Sequence, residues 1–315
     1  MKLLFVADPI ETFKPSKDST LAMMVAAQNA GHQIYHAKAS GLSWDGEAVC
    51  AIVSEIVVDK TKSPWFQIKS EQSLLLRSFD AVLMRQDPPF DGEFVANTWL
   101  LSQAEREGTK VFNSPTALRE HSEKLSIGEF VQFTAPTLVT RSIERIRAFH
   151  DEHKDIVVKP LDGMGGMGVF RVGSDGLNLG SIVETLGDNG RRALMAQRYL
   201  PEIVDGDKRL LLINGKPVPF VLARVPQAGD IRGNLAAGGK GEARPLTDNE
   251  LHIANTLGPV LAKRGLFLVG LDIIGDKLTE INVTSPTCFV EITEQTGYDV
   301  AAHWLRELEV LISGK

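Results

Sequence analysis

Asp155-Ile156-Val157-Val158-Lys159-Pro160-Leu161-Asp162-Gly163-Met164-Gly165-Gly166-Met167-Gly168 decides how the rest of the chain is read. A β-branched run ends in a lysine, and the loop after it holds four glycines in six positions, so its backbone can approach a ligand where side chains would collide. A phosphate cradle needs that freedom. Gly163, Gly165 and Gly168 also fit G-x-G-x-x-G, but a dinucleotide fingerprint opens a helix, and residues 169–172 (Val-Phe-Arg-Val) read as a strand. A Walker loop carries Lys-Ser or Lys-Thr after its last glycine, whereas Lys159 stands before the glycines. What remains is strand, glycine loop, strand: either a flap that closes over phosphates with Lys159 at its root, or the turn of an ordinary hairpin.

Upstream, strands and helices alternate. Residues 3–7 read as a strand, Asp18-Ser19 as the N-cap of a helix running to about Ala30 with Gly31 as its stop, and residues 33–37 as the next strand. Residues 81–84 form another strand, followed by a helix over 92–107 and a strand over 110–112. This is the pattern of a parallel α/β layer, with a weaker hairpin around Asp45-Gly46. Ligands in open α/β sheets collect beyond the carboxyl ends of strands, where Arg85 leads into Gln86-Asp87-Pro88-Pro89-Phe90. Its guanidinium either holds a substrate carboxylate or fixes the proline-rich loop.

Downstream, the pattern changes. Ser122-Glu123-Lys124 opens a short helix at the expected domain boundary, and residues 193–197 form a strand. Residues 210–213 and 216–224 pair as a hairpin through Asn214-Gly215. A long glycine-rich segment, residues 226–241, carries Arg232 and Lys240, and loops of that length in compact domains are functional or disordered. A helix over 247–264, strands over 266–274 and 278–281, and a last helix over 298–313 follow.

Asp272, Glu280 and Asn282 form a hard-oxygen group of the kind that holds magnesium together with substrate phosphates. Glu280 and Asn282 share a strand face because they are two positions apart. A two-residue turn at Gly275-Asp276 in regular register sets Asp272 against Thr279 on the wrong face, whereas a longer loop or a bulge sets it against Glu280. The second arrangement is expected. Among apolar neighbours Asp272 needs a partner, a metal or an arginine.

The bulk properties narrow the class. A chain of 315 residues has room for two domains, and a net charge of −6 with a pI near 5.7 argues against a nucleic-acid surface. Cys50 and Cys288 are too few for a disulfide framework, which fits a reducing cytoplasm. The apolar start of the chain stops at Asp8-Pro9, too short for a signal peptide, and no run reaches membrane-spanning length, so a soluble protein is expected.

Lys124, Lys159 with its glycine flap, the arginine-bearing loop and the Asp272/Glu280/Asn282 group together resemble an ATP-grasp enzyme. More narrowly, Met84-Arg85-Gln86-Asp87-Pro88-Pro89-Phe90, the run from Lys159 to Gly166, Arg232-Gly233-Asn234-Leu235-Ala236-Ala237-Gly238-Gly239 and Val269-Gly270-Leu271-Asp272-Ile273-Ile274-Gly275-Asp276 are similar to the bacterial glutathione synthetase family. The similarity runs from the first strand to about Thr287. It implies an α/β protein, α+β in its C-terminal half. Residues 1–122 would form an N-terminal α/β substrate domain and 123–315 an ATP-grasp domain, with a lid subdomain over 123–200 and a catalytic antiparallel sheet over 201–315 carrying a mobile loop at 226–241.

The implied activity is a carboxylate–amine ligase joining γ-glutamylcysteine to glycine through an acyl phosphate, with ATP cleaved to ADP and phosphate. Position by position, Lys124, Lys159, Gly163, Gly165 and Gly166 would meet the phosphates, Gln197, Arg198, Tyr199 and Leu200 the adenine, and Asp207 the ribose. Asp272, Glu280 and Asn282 would hold two magnesium ions, with manganese able to substitute. Arg209, Arg224 and Arg232 would serve the reacting centre, and Arg85, Asp18, Ser19, Asn234, Ser285 and Thr287 the substrates. The family also implies a homotetramer in the cytoplasm, with no nucleic-acid or membrane partner. Other ATP-grasp ligases, such as one joining D-alanines, would share the nucleotide machinery and differ in substrate.

Overall fold

The computed structural model describes residues 1–314 except Ala228, Ile231, Ala236 and Ala237, so part of the 226–241 loop lies outside the described residues. The chain begins with β1 (Lys2–Ala7), α1 (Ser19–Asn29) and β2 (Gln33–Lys38). Asp18 caps α1 by accepting a hydrogen bond from Leu21 N at 2.8 Å, and Gly31 turns out of it with a φ of +84°. β3 (Leu42–Trp44), β4 (Val49–Val58), β5 (Phe66–Leu75), β6 (Ala81–Arg85), α2 (Gly92–Arg106), β7 (Val111–Phe112) and α3 (Pro115–Glu120) complete the first part.

These strands form one seven-stranded sheet in the order β3-β4-β2-β1-β6-β7, with β5 on the far side of β4. The expectation of a parallel layer holds for β2-β1-β6-β7 and needs correction beyond β2. There β4 runs antiparallel to β2, β3 and β5, making the sheet mixed. The hairpin at Asp45-Gly46 forms as expected between β3 and β4. β5 is almost wholly exposed and polar, and so carries little of the apolar alternation that marks a half-buried strand.

A 3-10 segment (Leu125–Phe133) then leads to β8 (Thr137–Thr140), α4 (Ile143–His153), β9 (Ile156–Pro160), β10 (Phe170–Val172), α5 (Leu179–Leu186) and β11 (Leu194–Arg198). The sheet β10-β9-β11-β8 has four strands, and its core, around Ile146, Ile156, Val158 and Val183, is separate from the others. The opening stretch is therefore β9, glycine loop, β10, with Phe170 paired antiparallel to Val158. No helix follows the glycines, which removes the dinucleotide fingerprint.

The last part contains β12 (Asp207–Ile213), β13 (Lys216–Val225), β14 (Lys240–Pro245), α6 (Asp248–Lys263), β15 (Leu268–Ile274), β16 (Lys277–Asn282), α7 (Phe289–Thr296) and α8 (Val300–Ser313). Its five strands run β14-β13-β12-β15-β16, all antiparallel. Asn214 and Gly215, with φ of 51° and 75°, make the β12–β13 turn that their sequence demands. Two apolar clusters each combine residues of the first sheet with residues of this one: Leu4 and Val82 join Leu210 and Leu271, and Leu3 and Phe5 join Leu211 and Ile213, with Trp304 of α8 packed among them. Asn113 reinforces that union by donating to Leu268 O at 2.8 Å and Val283 O at 2.7 Å while accepting from Leu268 N at 2.8 Å. No helix among the described residues is long and apolar enough to cross a membrane.

Candidate active site

Strand register assembles the charged residues. Asp207 lies opposite Arg224 across β12 and β13, and Arg209 lies opposite Asp272 across β12 and β15. Asp272 faces Glu280 and Gly270 faces Asn282 across β15 and β16. Opposed residues, and residues two apart, share a face of a sheet, so Arg224, Asp207, Arg209, Asp272, Glu280 and Asn282 all stand on one side. The turn Gly275-Asp276 is short, and the register shift between Asp272 and Ile273 leaves Thr279 as the extra residue of a bulge. The bulge brings Asp272 against Glu280, as expected.

This face forms one wall of a cavity of about 350 Å³, and the glycine loop and the ends of the four-stranded sheet form the opposite one. Lys124 and Lys159, both buried, enter between the walls. Lys124 Nζ lies 2.7 Å from Glu280 Oε1 and also donates to Gly163 O, so one ammonium ties the acidic face to the flap. Burial pushes the Lys159 ammonium below the usual lysine range, with Glu280 opposing and Lys124 adding to the shift. Two cations facing a glycine loop suit a polyphosphate.

The flap is held by its own sterics. Gly165, Gly166 and Gly168 have φ of 60°, 83° and 71°, a region that disfavours side chains. A Cβ on Gly166 would lie 2.8 Å from Asn234 Oδ1 and 3.1 Å from Arg232 Cδ, so the flap and the described residues of the 226–241 loop meet above the cavity. Arg232 is fixed there by a paired contact with Asp230, at 3.0 and 2.7 Å.

Beneath them lies a buried ion cluster. Arg209 binds Asp272 through Nε–Oδ1 at 2.5 Å and Nη2–Oδ2 at 3.0 Å, and Arg224 Nη2 reaches Asp272 Oδ2 at 2.8 Å and Asp207 Oδ2 at 2.5 Å. Burial alone raises the Asp272 carboxyl, but the two guanidiniums outweigh it and hold Asp272 well below the usual carboxylate range. Asp207 takes the opposite shift. Burial pushes it up to about 6 against the pull of Arg224, and its Oδ1 is buried without a partner among the described residues.

Comparison with known proteins identifies the arrangement. Residues 1–119 match the prokaryotic glutathione synthetase N-terminal domain and residues 123–297 the prokaryotic glutathione synthetase ATP-grasp domain. The chain belongs to the prokaryotic glutathione synthetase family. It is 56% identical to the glutathione synthetase of Ralstonia nicotianae over 98% of this chain and 95% of that protein. It is 51% identical to the glutathione synthetase of Neisseria meningitidis serogroup A over 96% of each. Among solved structures, a D-cycloserine synthetase shares the fold with a TM-score of 0.70 at 18% identity, covering 99% of this chain and all of that one. A D-alanyl-alanine synthetase from Vibrio cholerae does so at 0.62 and 14%, covering 100% and 98%.

The residues expected from the glutathione synthetase resemblance divide into three groups. Lining the cavity are Lys124, Lys159, the flap residues Gly163, Gly165 and Gly166, the run Gln197, Arg198, Tyr199 and Leu200, and also Asp207, Arg209, Arg224, Arg232, Asn234, Glu280, Asn282, Ser285 and Thr287. Asp272 is only 2% exposed and lies beneath this lining, under its two arginines. Arg85, Asp18 and Ser19 stand behind it. Arg85 Nε donates to Thr20 Oγ1 at 3.1 Å and Nη2 to Pro286 O at 3.0 Å, while Asp18 caps α1 and Ser19 Oγ accepts from Phe289 N at 3.2 Å. In this structure the Arg85 side chain pins Thr20 and the segment carrying Pro286, a different loop from the proline-rich 86–90 of the sequence reading.

The donor set fits a magnesium shared with nucleotide phosphates. Among the described residues no group of three or more His, Cys, Asp or Glu side chains could hold a metal by itself. A phosphate-bound magnesium takes one or two protein carboxylates and fills the rest of its oxygen shell from phosphates and water. Asn282 spends its amide N–H on Gly270 O at 3.1 Å, leaving the oxygen, and Asp272 Oδ1 has one protein donor and a spare lone pair.

Sequence reading missed Glu123, which lines the cavity and accepts from Val283 N, Thr284 N and Thr284 Oγ1. Its position beside Lys124 was the one available signal. It also missed Arg171, whose guanidinium carbon lies 3.8 Å from the centroid of the Tyr199 ring, braced by Asp155 at 3.0 and 2.6 Å.

Proposed function

We propose that this chain forms glutathione by joining the cysteinyl carboxylate of γ-glutamylcysteine to the amine of glycine through an acyl phosphate, with ATP as phosphoryl donor. The observation that carries the reading is the single cavity in which Lys124 and Lys159 face Glu280 and Asn282 beneath a glycine flap, in a chain of the glutathione synthetase family over nearly its full length. A carboxylate is a poor electrophile for an amine. Transfer of the γ-phosphoryl group to it creates a leaving group, after which the glycine amine attacks the carbonyl, phosphate departs and the amine proton passes to solvent or phosphate.

The lysines neutralise the transferring phosphoryl group, and the ribose of ATP falls to Asp207, whose Oδ1, without a partner among the described residues, can accept from a hydroxyl. Arg209 spends Nε and Nη2 on the Asp272 carboxylate, and Arg224 spends Nε on the main-chain oxygen of Asp207 and Nη2 on the Asp207 and Asp272 carboxylates, which leaves Nη1 of each to face developing charge on the substrate. Glu280, Asn282 and the spare lone pair of Asp272 would hold two magnesium ions, which when bound spread the charge of the phosphates. The acyl phosphate hydrolyses if water reaches it, and the meeting of Gly166 with Asn234 and Arg232 supports the flap and the 226–241 loop as its cover.

The test is release of ADP by the purified protein. ADP release is expected only when γ-glutamylcysteine and glycine are both present, with glutathione formed in equal amount. Release supported by D-alanine alone would make the chain a different ATP-grasp ligase.

A further inference from the structure

Arg171 belongs to a clamp that the phosphoryl chemistry does not use. It lies opposite Val157 across β10 and β9, and Val157 lies opposite Gln197 across β9 and β11, so the three form one row of the four-stranded sheet. Val157 and Gln197 line the cavity, which sets Arg171 on the cavity face, on the strand that leads away from the flap. From there its guanidinium carbon comes to 3.8 Å from the centroid of the Tyr199 ring. Tyr199 itself lines the cavity.

Asp155 fixes both partners. Its carboxylate accepts from Arg171 Nε at 3.0 Å and Nη2 at 2.6 Å, and its main-chain oxygen accepts from Tyr199 N at 2.9 Å. The forked contact sets the plane of the guanidinium, and a plane is what covering a ring requires. The Arg171 and Asp155 side chains are 42% and 32% exposed, so the ion pair as such adds little to the stability of the fold. Its consequence is orientation: the guanidinium is held over one face of the Tyr199 ring.

The chemistry along β9 says what lies against that wall. Val157 and Lys159 stand two apart on one face, so the wall passes from apolar to cationic as the chain approaches the glycine flap. Across the cavity Ile274 pairs with Asp207, whose Oδ1 has no partner among the described residues. Phosphates held by Lys159 and the flap leave the far end of a nucleotide, a flat apolar base, on the side of Val157, Leu200 and Tyr199. Glycine and γ-glutamylcysteine have no flat apolar part to fill such a slot.

We propose that Arg171 is a positioning residue for the nucleotide, holding the Tyr199 ring, through the Asp155 fork, as a wall of the slot that takes the base; the inference rests on the ATP-using reading of this cavity. Arg171 acts through Tyr199 and stands away from the acids and lysines of the reacting centre. Its loss therefore falls on the nucleotide and spares both amino-acid substrates.

Calorimetric titration with ADP, together with initial rates against ATP, glycine and γ-glutamylcysteine, tests this in the wild type, Arg171→Ala, Arg171→Lys, Tyr199→Leu and the double variant of Arg171→Ala with Tyr199→Leu. Arg171→Ala is expected to raise Kd for ADP and KM for ATP about fivefold, while KM for glycine and for γ-glutamylcysteine moves less than about twofold. Arg171→Lys keeps the charge but loses the planar fork, and is expected to be as impaired as the alanine variant. Because Arg171 acts through Tyr199, the double variant is expected to bind ADP within about twofold of Tyr199→Leu alone. Asp155→Asn loosens the fork without removing Arg171 and is expected to shift Kd for ADP in the same direction by a smaller factor, so the inference stays testable if the alanine variant fails to fold. Rescue by lysine, losses that multiply in the double variant, or equal changes in every KM would overturn it. A wild type that binds no ADP sinks the nucleotide reading of the cavity itself, whereas a wild type that binds ADP no more tightly than Arg171→Ala sinks only the role of Arg171.

Discussion

At the scale of single residues, His121 shows how a buried group outside the cavity sets acid stability. It ends α3, and its Nε2 is buried with no partner among the described residues. Burial, helped by the charge of Arg264 and opposed by Glu129, pushes its pKa from 6.5 to about 4. Because the folded value is the lower one, the neutral ring contributes full stability above the unfolded pKa. That contribution is lost as pH falls from about 6.5 towards 4, where the unfolded chain takes up a proton the native one refuses. Between pH about 7 and about 5 the loss amounts to about 2 kcal/mol. His121→Leu is expected to shrink by that amount the difference in unfolding free energy between the two pH values, read from urea denaturation. An unchanged difference would show that the ring protonates freely in the folded state. Residue-scale reading of the sequence succeeded where spacing carried information: Glu280 and Asn282 are two apart, and the need to partner Asp272 called for the bulge that Thr279 supplies. It failed where the partner is distant in the chain. Nothing local to Asp272 names Arg209 and Arg224 as its two counter-charges, and nothing local to Glu123 points to Thr284.

At the scale of elements, the glycine loop was legible as strand, loop, strand because β-branched residues flank it and no helix former follows. α7 was not legible, since Cys288 at its N-cap has a φ of 88° and makes no side-chain cap, so the usual start signal is missing. The flap carries its own prediction. In Gly166→Ala the new methyl meets Asn234 Oδ1 at 2.8 Å at a φ of +83°, a conformation that costs about 1–2 kcal/mol for a residue with a side chain. The flap and the loop must then separate. Since the flap lies outside the large apolar clusters, the melting temperature is expected to stay close to that of the wild type. The change should appear in coupling: kcat/KM for ATP falls on the order of tenfold, and more ADP than glutathione is released as water reaches the acyl phosphate. A one-to-one ratio of ADP to glutathione in this variant would mean that the contact at Gly166 does not exclude water.

At the scale of the whole molecule, the alternation of strands and helices announced the parallel centre of the first sheet, and the Asn214-Gly215 hairpin the antiparallel character of the last. The way the two join was hidden, because it depends on a side chain whose partners lie 155 and 170 residues away. Asn113 is 6% exposed, and its amide satisfies three main-chain groups, Leu268 N–H, Leu268 O and Val283 O. Asn113→Ala leaves all three buried and unpaired, a loss of roughly 3–5 kcal/mol at about 1–3 kcal/mol per orphaned group with partial relaxation. Asn113→Asp can still accept from Leu268 N–H but turns a carboxylate oxygen toward two carbonyls, so it is expected to be at least as damaging as alanine. Because both large apolar clusters combine residues of the first and last sheets, each variant should melt in one transition several degrees below the wild type. Scanning calorimetry distinguishes the alternatives: if Asn113→Ala splits the melt and leaves one transition at the wild-type temperature, the two sheets are stable separately and the shared clusters do not bind them into one cooperative unit.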